Sequence, residues 1–409
     1  MITKLNKNTV VLADQAVFSG GSFLITILLA RLLTPTDFGI YSSITLFNFG
    51  VISILNALVI QPMQVSLEKV INKQSYLGFT FIVQLSALVF ILLSSYLLLN
   101  SPIPFLQHLK TTIYPASFLF IGFVLHDYFR KVFLAKAEVK QAFIIDLTAT
   151  SLQVGLLGYC YLTNLHSFSQ ILFLLGITYL PAIILSILFF QFERNSFYGY
   201  KNYIRLQFHQ AKWLVLTTIT QWWASNLFIV TSGIYLGVKA LGAFRLVQSL
   251  FGILNLILQT FENYVLPEAS RRYVQSSENA RIYLKDITKK SSLIFGVVLT
   301  LLFLFSEQVI HLAGGSSYLS YAYIIKGMCI LYAFIFIGYP IRLSIRLLIL
   351  NKLFFVGYVI SFIISVLSFD YLLKNWGING AIIGLTISQL VTLSYWQIML
   401  TKKDFVLWK

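Results

Sequence analysis

Apolar stretches long enough to cross a lipid bilayer recur from one end of this chain to the other, and that recurrence limits the fold more than any motif does. A hydrocarbon core needs about 20 apolar residues per helix. Residues 13–33, 38–60, 77–99, 112–134, 142–163, 168–190, 210–232, 241–264, 291–313, 320–341, 354–373 and 380–400 meet that length. Backbone groups in lipid must be satisfied within the chain, and helices do so segment by segment. The expected fold is therefore an all-α integral membrane protein with about twelve transmembrane helices, both termini on one side. The composition agrees: 58% hydrophobic, 11% charged and a mean hydropathy of +0.81 exceed what a soluble core can hide. The polar first ten residues and Asp14 in the first apolar block argue against a cleavable signal peptide. Cys160 and Cys329 fall inside predicted spans and read as small packing residues rather than a disulfide.

The net charge of +16 points to nucleic acid only if its distribution is ignored. Alternate gaps between the spans hold 24 of the 30 Lys and Arg, and the opposite gaps hold Arg31, Lys110, Lys239 and Lys374. Positive residues are retained on the cytoplasmic side, so both termini are expected inside. Basic loops there suit anionic lipid headgroups, and no nucleic-acid partner is expected. Arg271–Lys290 mixes charge with Tyr273, Ile282, Leu284 and Ile287, as an amphipathic helix on the inner leaflet would.

Two internal matches suggest a repeat. LTPTDFGIY (Leu33–Tyr41) parallels LGVKALGAF (Leu236–Phe244), and the spans that follow end at Pro62 and Pro267. IGFVLHDYFR (Ile121–Arg130) aligns with IGYPIRLSIR (Ile337–Arg346), pairing Arg130 with Arg346. Six spans per half give two like-oriented lobes, a parallel repeat around a central cleft. The expected division is an N-terminal lobe at 1–190, a cytoplasmic linker at 191–209 and a C-terminal lobe at 210–409.

The opening span, ADQAVFSGGSFLITILLARLLTPTDFGIYSSITLF (Ala13–Phe47), resembles the amino-terminal signature of bacterial polysaccharide flippases. These are the Wzx-type O-antigen and capsule-unit transporters of the multidrug/oligosaccharidyl-lipid/polysaccharide (MOP) superfamily. The resemblance rests on Asp14-Gln15-Ala16, Ser19-Gly20-Gly21, Phe23, Leu29-Ala30-Arg31, and Phe38-Gly39 followed by Tyr41. It implies flipping of an undecaprenyl-pyrophosphate-linked oligosaccharide to the periplasmic leaflet by alternating access, for O-antigen, lipopolysaccharide or capsule assembly. It also implies a polysaccharide polymerase and a chain-length regulator as partners, besides membrane lipids.

A pyrophosphate and sugars lose too much hydration to enter hydrocarbon unaided. Candidate substitutes for that hydration are ionisable and polar residues within spans. Lys326 lies about 10 Å into its span, and Arg31 and Arg245 lie toward the periplasmic end, where pyrophosphate contact competes with snorkelling. Arg342 and Arg346 share a helical face at the cytoplasmic end and, with Arg130, are candidates to receive pyrophosphate, against ordinary positive-inside anchoring. Gln15, Gln221, Trp222 and Asn226 are candidates for sugar contact, against helix–helix packing. Asp14 is the candidate ion-coupling carboxylate, for an H+ or Na+ gradient, with Asp146, Glu262 and Asp370 behind it. Ser19-Gly20-Gly21-Ser22 reads as a packing patch or hinge rather than a phosphate loop.

The five histidines show no metal-ligand spacing, and no P-loop or paired-carboxylate motif occurs, so neither enzyme nor bound cofactor is expected. Two alternatives stay open: an ion-coupled multidrug or metabolite exporter of the same superfamily, and a membrane polysaccharide polymerase or ligase. The latter needs a large periplasmic loop, whereas the longest outer gap, near Asn100–Thr111, is short.

Overall fold

A computed structural model describes residues 7–99, 112–190, 200–260 and 264–407. The outer gap near Asn100–Thr111, part of the linker (191–199) and Glu262 lie outside the described residues. The chain divides into two compact units, Met1–Ile219 and Thr220–Lys409. Residues 200–209, expected as linker, are helical and open a long helix that runs to Leu236.

The first unit contains α1 (Lys7–Leu32), α2 (Pro35–Leu55), α3 (Gln61–Ser66), α4 (Lys73–Leu99), α5 (Ile113–Ala135), α6 (Val139–Leu162), α7 (Phe168–Ile177), α8 (Tyr179–Phe190) and the start of α9 (Tyr200–Leu236). The turn after α1 follows its sequence closely. Thr34 caps α2 by accepting from the Asp37 N–H at 3.2 Å, and Pro35 fills the first helical position, where no N–H is needed. Between α2 and α3 the chain makes one π-helical segment, Asn56–Ile60. Pro62 explains the irregularity: lacking an N–H, it cannot serve the Leu58 carbonyl. The buried Gln207 side chain on α9 does so instead, donating to the carbonyls of Leu58 at 2.8 Å and Val59 at 2.9 Å. Its own Oε1 accepts from the Tyr76 hydroxyl at 2.7 Å, so the amide is used at both ends.

Helix α1 packs along α6. A side chain at Gly21 would place its Cβ 2.3 Å from Thr150 Cγ2, so the small residue sets how closely the two backbones approach. Gly21 thus serves packing within a continuous helix, while Gly20 is exposed with nothing close to it.

The second unit contains the rest of α9, α10 (Val238–Thr260), α11 (Leu266–Gln275), α12 (Ser277–Leu304), α13 (Ser306–Gly314), α14 (Ala322–Leu347) and α15 (Asn351–Thr401). The basic segment forms α11 and the first turns of α12, joined at Ser276, whose hydroxyl accepts from the Asn279 N–H at 2.9 Å. At 51 residues, α15 would extend about 75 Å if straight, far beyond a bilayer. It is instead a hairpin. Gly377 adopts φ +54°, and a Cβ at Gly380 would fall 1.9 Å from the Leu372 carbonyl oxygen. The two arms run antiparallel: Ser365 pairs with Ser388 at 2.7 Å, and Trp396 Nε1 donates to the Leu353 carbonyl at 3.2 Å.

Nine stretches among the described residues satisfy the length and composition of a membrane span, against about twelve expected. The α15 hairpin accounts for two predicted spans in one stretch. Helix α5 carries Asp127, Arg130 and Lys131, and the uncharged part of α9 carries Gln221, Ser225 and Asn226, so neither qualifies by composition. Outer faces are strongly apolar, with Leu367 at 78% and Phe90 at 70% exposure, as expected for a multi-pass membrane protein solvated by lipid.

Helices α5 and α14 end alike. Ala137 and Ile349 take left-handed conformations, and the N–H groups of Glu138 and Leu350 each reach back five residues to the carbonyls of Phe133 and Ile345. Arg130 and Arg342 each stand seven residues before that turn. The helix ends therefore match Arg130 to Arg342, one helical turn from the sequence pairing with Arg346.

Candidate functional site

Inside the first unit, three helices bring four ionisable side chains together. Asp14 comes from α1, His126 and Arg130 from one face of α5, and Asp146 from α6. All four are buried, between 1% and 7% exposed. Arg130 Nη2 donates to Asp14 Oδ2 at 2.7 Å, and Arg130 Nε donates to Asp146 Oδ2 at 2.5 Å. The Phe18 ring, one turn along α1 from Asp14, lies 4.0 Å from the guanidinium carbon. His126 Nε2 stands 3.3 Å from Asp146 Oδ1. Next to the cluster, Lys131 donates to Asp127 Oδ2 and to Asn56 Oδ1, both at 2.7 Å. Asn56 opens the π-helical segment, so this second ion pair ties α5 to the irregular part of the unit.

Charge counting defines what the cluster can do. Two carboxylates face one guanidinium, leaving one negative charge while His126 is neutral; one added proton brings the group to zero. The Oδ1 atoms of Asp14 and Asp146 and the Nε2 of His126 are buried without a hydrogen bond, so the cluster has places for that proton. Buried, incompletely satisfied ionisable groups are expensive in membrane helices and are characteristic of functional positions. Among the described residues no group of three or more His, Cys, Asp or Glu is arranged to hold a metal ion.

The sequence candidates divide between the two units. In the first, Asp14 is in the buried cluster. Arg130, expected to meet pyrophosphate, is buried with its guanidinium held by two aspartates, so this geometry gives it an internal electrostatic role. Gln15 is exposed and donates to Ser19 at 2.9 Å on its own helix, and Arg31 is exposed at the end of α1. In the second unit, Lys326 is exposed in the second turn of α14, with its ammonium 5.9 Å from the Phe303 ring. Arg245 is half-buried and donates to Gln248 at 2.9 Å. Arg342 is half-buried, 5.7 Å from the Tyr339 ring and 5.9 Å from Phe354, and Arg346 is exposed in the last turn of α14. Gln221 and Trp222 are half-buried; Asn226 donates to the Trp222 carbonyl at 2.9 Å, a bond within its own helix. Asp370 is held by the Tyr235 hydroxyl at 2.5 Å and by Lys374 at 2.9 Å near the α15 hairpin turn.

Sequence reasoning passed over His126, whose lack of metal spacing hid its proximity to Asp146, and treated Asp146 as secondary. The usable signal was a His and an Arg four residues apart on a span, with two acids available on other spans.

The family profile described as "Polysaccharide biosynthesis protein" matches residues 28–323. No curated protein matches the chain in sequence. Among solved structures, an inward-facing multidrug-resistance MATE transporter of the MOP superfamily is similar at a TM-score of 0.72 and 12% identity, covering 95% of each chain. The lipid II flippase MurJ, in an inward closed conformation, is similar at 0.67 and 15% identity, covering 97% of this chain and 89% of its own. A MOP-superfamily transporter from Pyrococcus furiosus is similar at 0.63 and 11% identity, covering 97% and 95%. At these identities the likeness establishes a shared fold.

Proposed function

Because this chain belongs to the polysaccharide biosynthesis protein family, we propose that it flips an undecaprenyl-pyrophosphate-linked oligosaccharide from the cytoplasmic to the periplasmic leaflet, as a non-catalytic transporter. The family match over residues 28–323 carries the reading, and the fold shared with a lipid II flippase supports it. The positive-inside pattern supports a bacterial inner membrane with cytoplasmic termini. O-antigen or capsule units are the proposed cargo class, delivered to a polymerase and chain-length regulator. Two lobes divided near the linker, rocking about a central cleft, supply alternating access; Lys326, Arg31, Arg245, Arg342 and Arg346 are the proposed pyrophosphate contacts, and Gln15, Gln221, Trp222 and Asn226 the proposed sugar contacts.

Asp14 couples this movement to a proton gradient. H+ is favoured over Na+ because Arg130 already fills the space between the carboxylates that a metal cation would need. Proton uptake removes the excess negative charge and loosens Arg130 from one acid, changing how α1 and α6 hold α5.

Deleting the gene should leave undecaprenyl-linked glycan on the cytoplasmic leaflet, read by leaflet-selective labelling. A normal leaflet distribution rejects the flippase reading. The MATE likeness supports a second reading, an ion-coupled exporter of small molecules. That reading predicts drug sensitivity in the deletion strain and unaltered glycan.

A further inference from the structure

The first unit holds a partly open cavity of about 140 Å³ between α1, α2, α5, α6, α7 and α8, beside the buried charge cluster. Its size is that of one six-membered ring: an engineered cavity of about 150 Å³ in another protein holds a benzene molecule. Such an apolar cavity stays dry, and this one is different in kind. Aromatic rings from Phe18, Tyr41, Phe49, Phe123 and Tyr179 form walls, while Asn48, Gln153, Thr45, Thr150 and His126 add hydrogen-bonding groups. No Lys or Arg is among the lining residues.

Asn48 is the telling group. It is 3% exposed, yet no hydrogen bond joins its side chain to another described residue. Its amide atoms are not sealed from solvent, so they open onto the cavity and are available to bond what occupies it. Gln153, on α6, is also buried, and the Tyr179 ring lies 5.3 Å from the His126 ring. Rings on several sides with donor–acceptor amides between them match a pyranose, whose C–H faces are apolar and whose edge carries hydroxyls. The absence of lining cations disfavours a phosphate or a uronic acid.

We infer that this cavity is a subsite for one uncharged hexopyranose or N-acetylhexosamine ring of the transported glycan. The inference rests on the flippase reading for its cargo, but on Asn48, Gln153 and the aromatic walls for its chemistry. His126 lines the cavity and also stands 3.3 Å from Asp146 Oδ1, so a sugar bound there touches the proton-holding cluster through a single side chain. The subsite thereby gives cargo recognition a direct electrostatic path to coupling.

The test is saturation-transfer NMR on the full chain in lipid nanodiscs, with methyl glucoside, methyl galactoside and N-acetylglucosamine as probes, and glucuronate and inorganic pyrophosphate as charged comparators. At least one neutral pyranose should give a signal, weakened roughly three- to tenfold in Asn48→Leu, in line with the loss of one neutral hydrogen bond. Thr45→Val, a gentler change on the same wall, should weaken it in the same direction, which covers an unstable Asn48→Leu protein. Silence from every neutral sugar means that the cavity holds water only and overturns the proposal. So does equal binding in wild type and both variants, or a preference for glucuronate or pyrophosphate. The leaflet assay separates the two claims. A normal leaflet distribution after gene deletion rejects the flippase reading, while sugar binding that depends on Asn48 would still stand as a property of the cavity.

Discussion

Arg130 is the residue on which the first unit's electrostatics turn, and its removal should be more harmful than removal of either acid that it holds. Its side chain is 8% exposed and makes two charged hydrogen bonds, to Asp14 at 2.7 Å and Asp146 at 2.5 Å. Arg130→Met keeps much of the aliphatic stem but leaves two buried carboxylates facing each other with no counter-charge. Breaking a buried ion pair from one side costs about 3–5 kcal/mol, chiefly because the remaining charge is uncompensated. The triple change Asp14→Asn, Arg130→Met and Asp146→Asn removes every formal charge of the trio, and replacing a buried ionic group as a whole is often close to neutral. The single variant should therefore be less stable than the triple variant by at least about 2 kcal/mol. Thermal unfolding of the purified proteins in one detergent, followed by loss of monodisperse protein, ranks them. Wild-type stability in Arg130→Met, or a triple variant weaker than the single, would refute the assignment of Arg130 as the counter-charge of this cluster.

Asp14→Asn should be tolerated far better than Arg130→Met, because it takes the cluster from one negative charge to zero while retaining the Arg130–Asp146 pair. It should nevertheless weaken the dependence of transport on a proton gradient in proteoliposomes, and unchanged dependence removes Asp14 from coupling. Gln207→Leu strands the Leu58 and Val59 carbonyls and should cost about 1–3 kcal/mol of stability, measured by thermal unfolding. Adding Pro62→Ala, which restores an N–H beneath Leu58, should recover part of that loss. Gly21→Ala should destabilise by about 1–3 kcal/mol through contact with Thr150, and Thr150→Ala, which removes the colliding Cγ2, should rescue it. Lys326→Ala and Arg31→Ala should lower surface-polysaccharide export at unchanged membrane abundance, and wild-type export would remove both from the translocation path.

The helical architecture was legible because bilayer thickness imposes one length scale on every span, and hydropathy reports that scale directly. It says less at α5, where a mean over a window cannot tell a charge buried against another helix from one facing water. Arg130 illustrates the point. Its position near a cytoplasmic helix end made it one more retained cation, since the positive-inside rule treats each charge alone. Its actual role depends on Asp14, 116 residues earlier, which no local pattern brings near. The acids were read as separate candidates for the same reason.

The repeat shows a related limit of sequence matching. Letter similarity pairs Arg130 with Arg346, because Gly122 and Gly338 align along with it, but the backbone turns at Ala137 and Ile349 favour Arg342. A four-residue slip costs an α-helix little in pattern, since residues one turn apart occupy nearly the same face. With the register set by the turns, the position of Asp146 falls on Tyr358, so an acid in the first unit corresponds to an aromatic residue in the second. Arg342 accordingly has the rings of Tyr339 and Phe354 beside it, whereas Arg130 has two aspartates. The same cation at the same place before the same turn is thus neutralised in one unit and given an aromatic setting in the other. Arg130, committed to Asp14 and Asp146, is accordingly left out of the proposed pyrophosphate contacts.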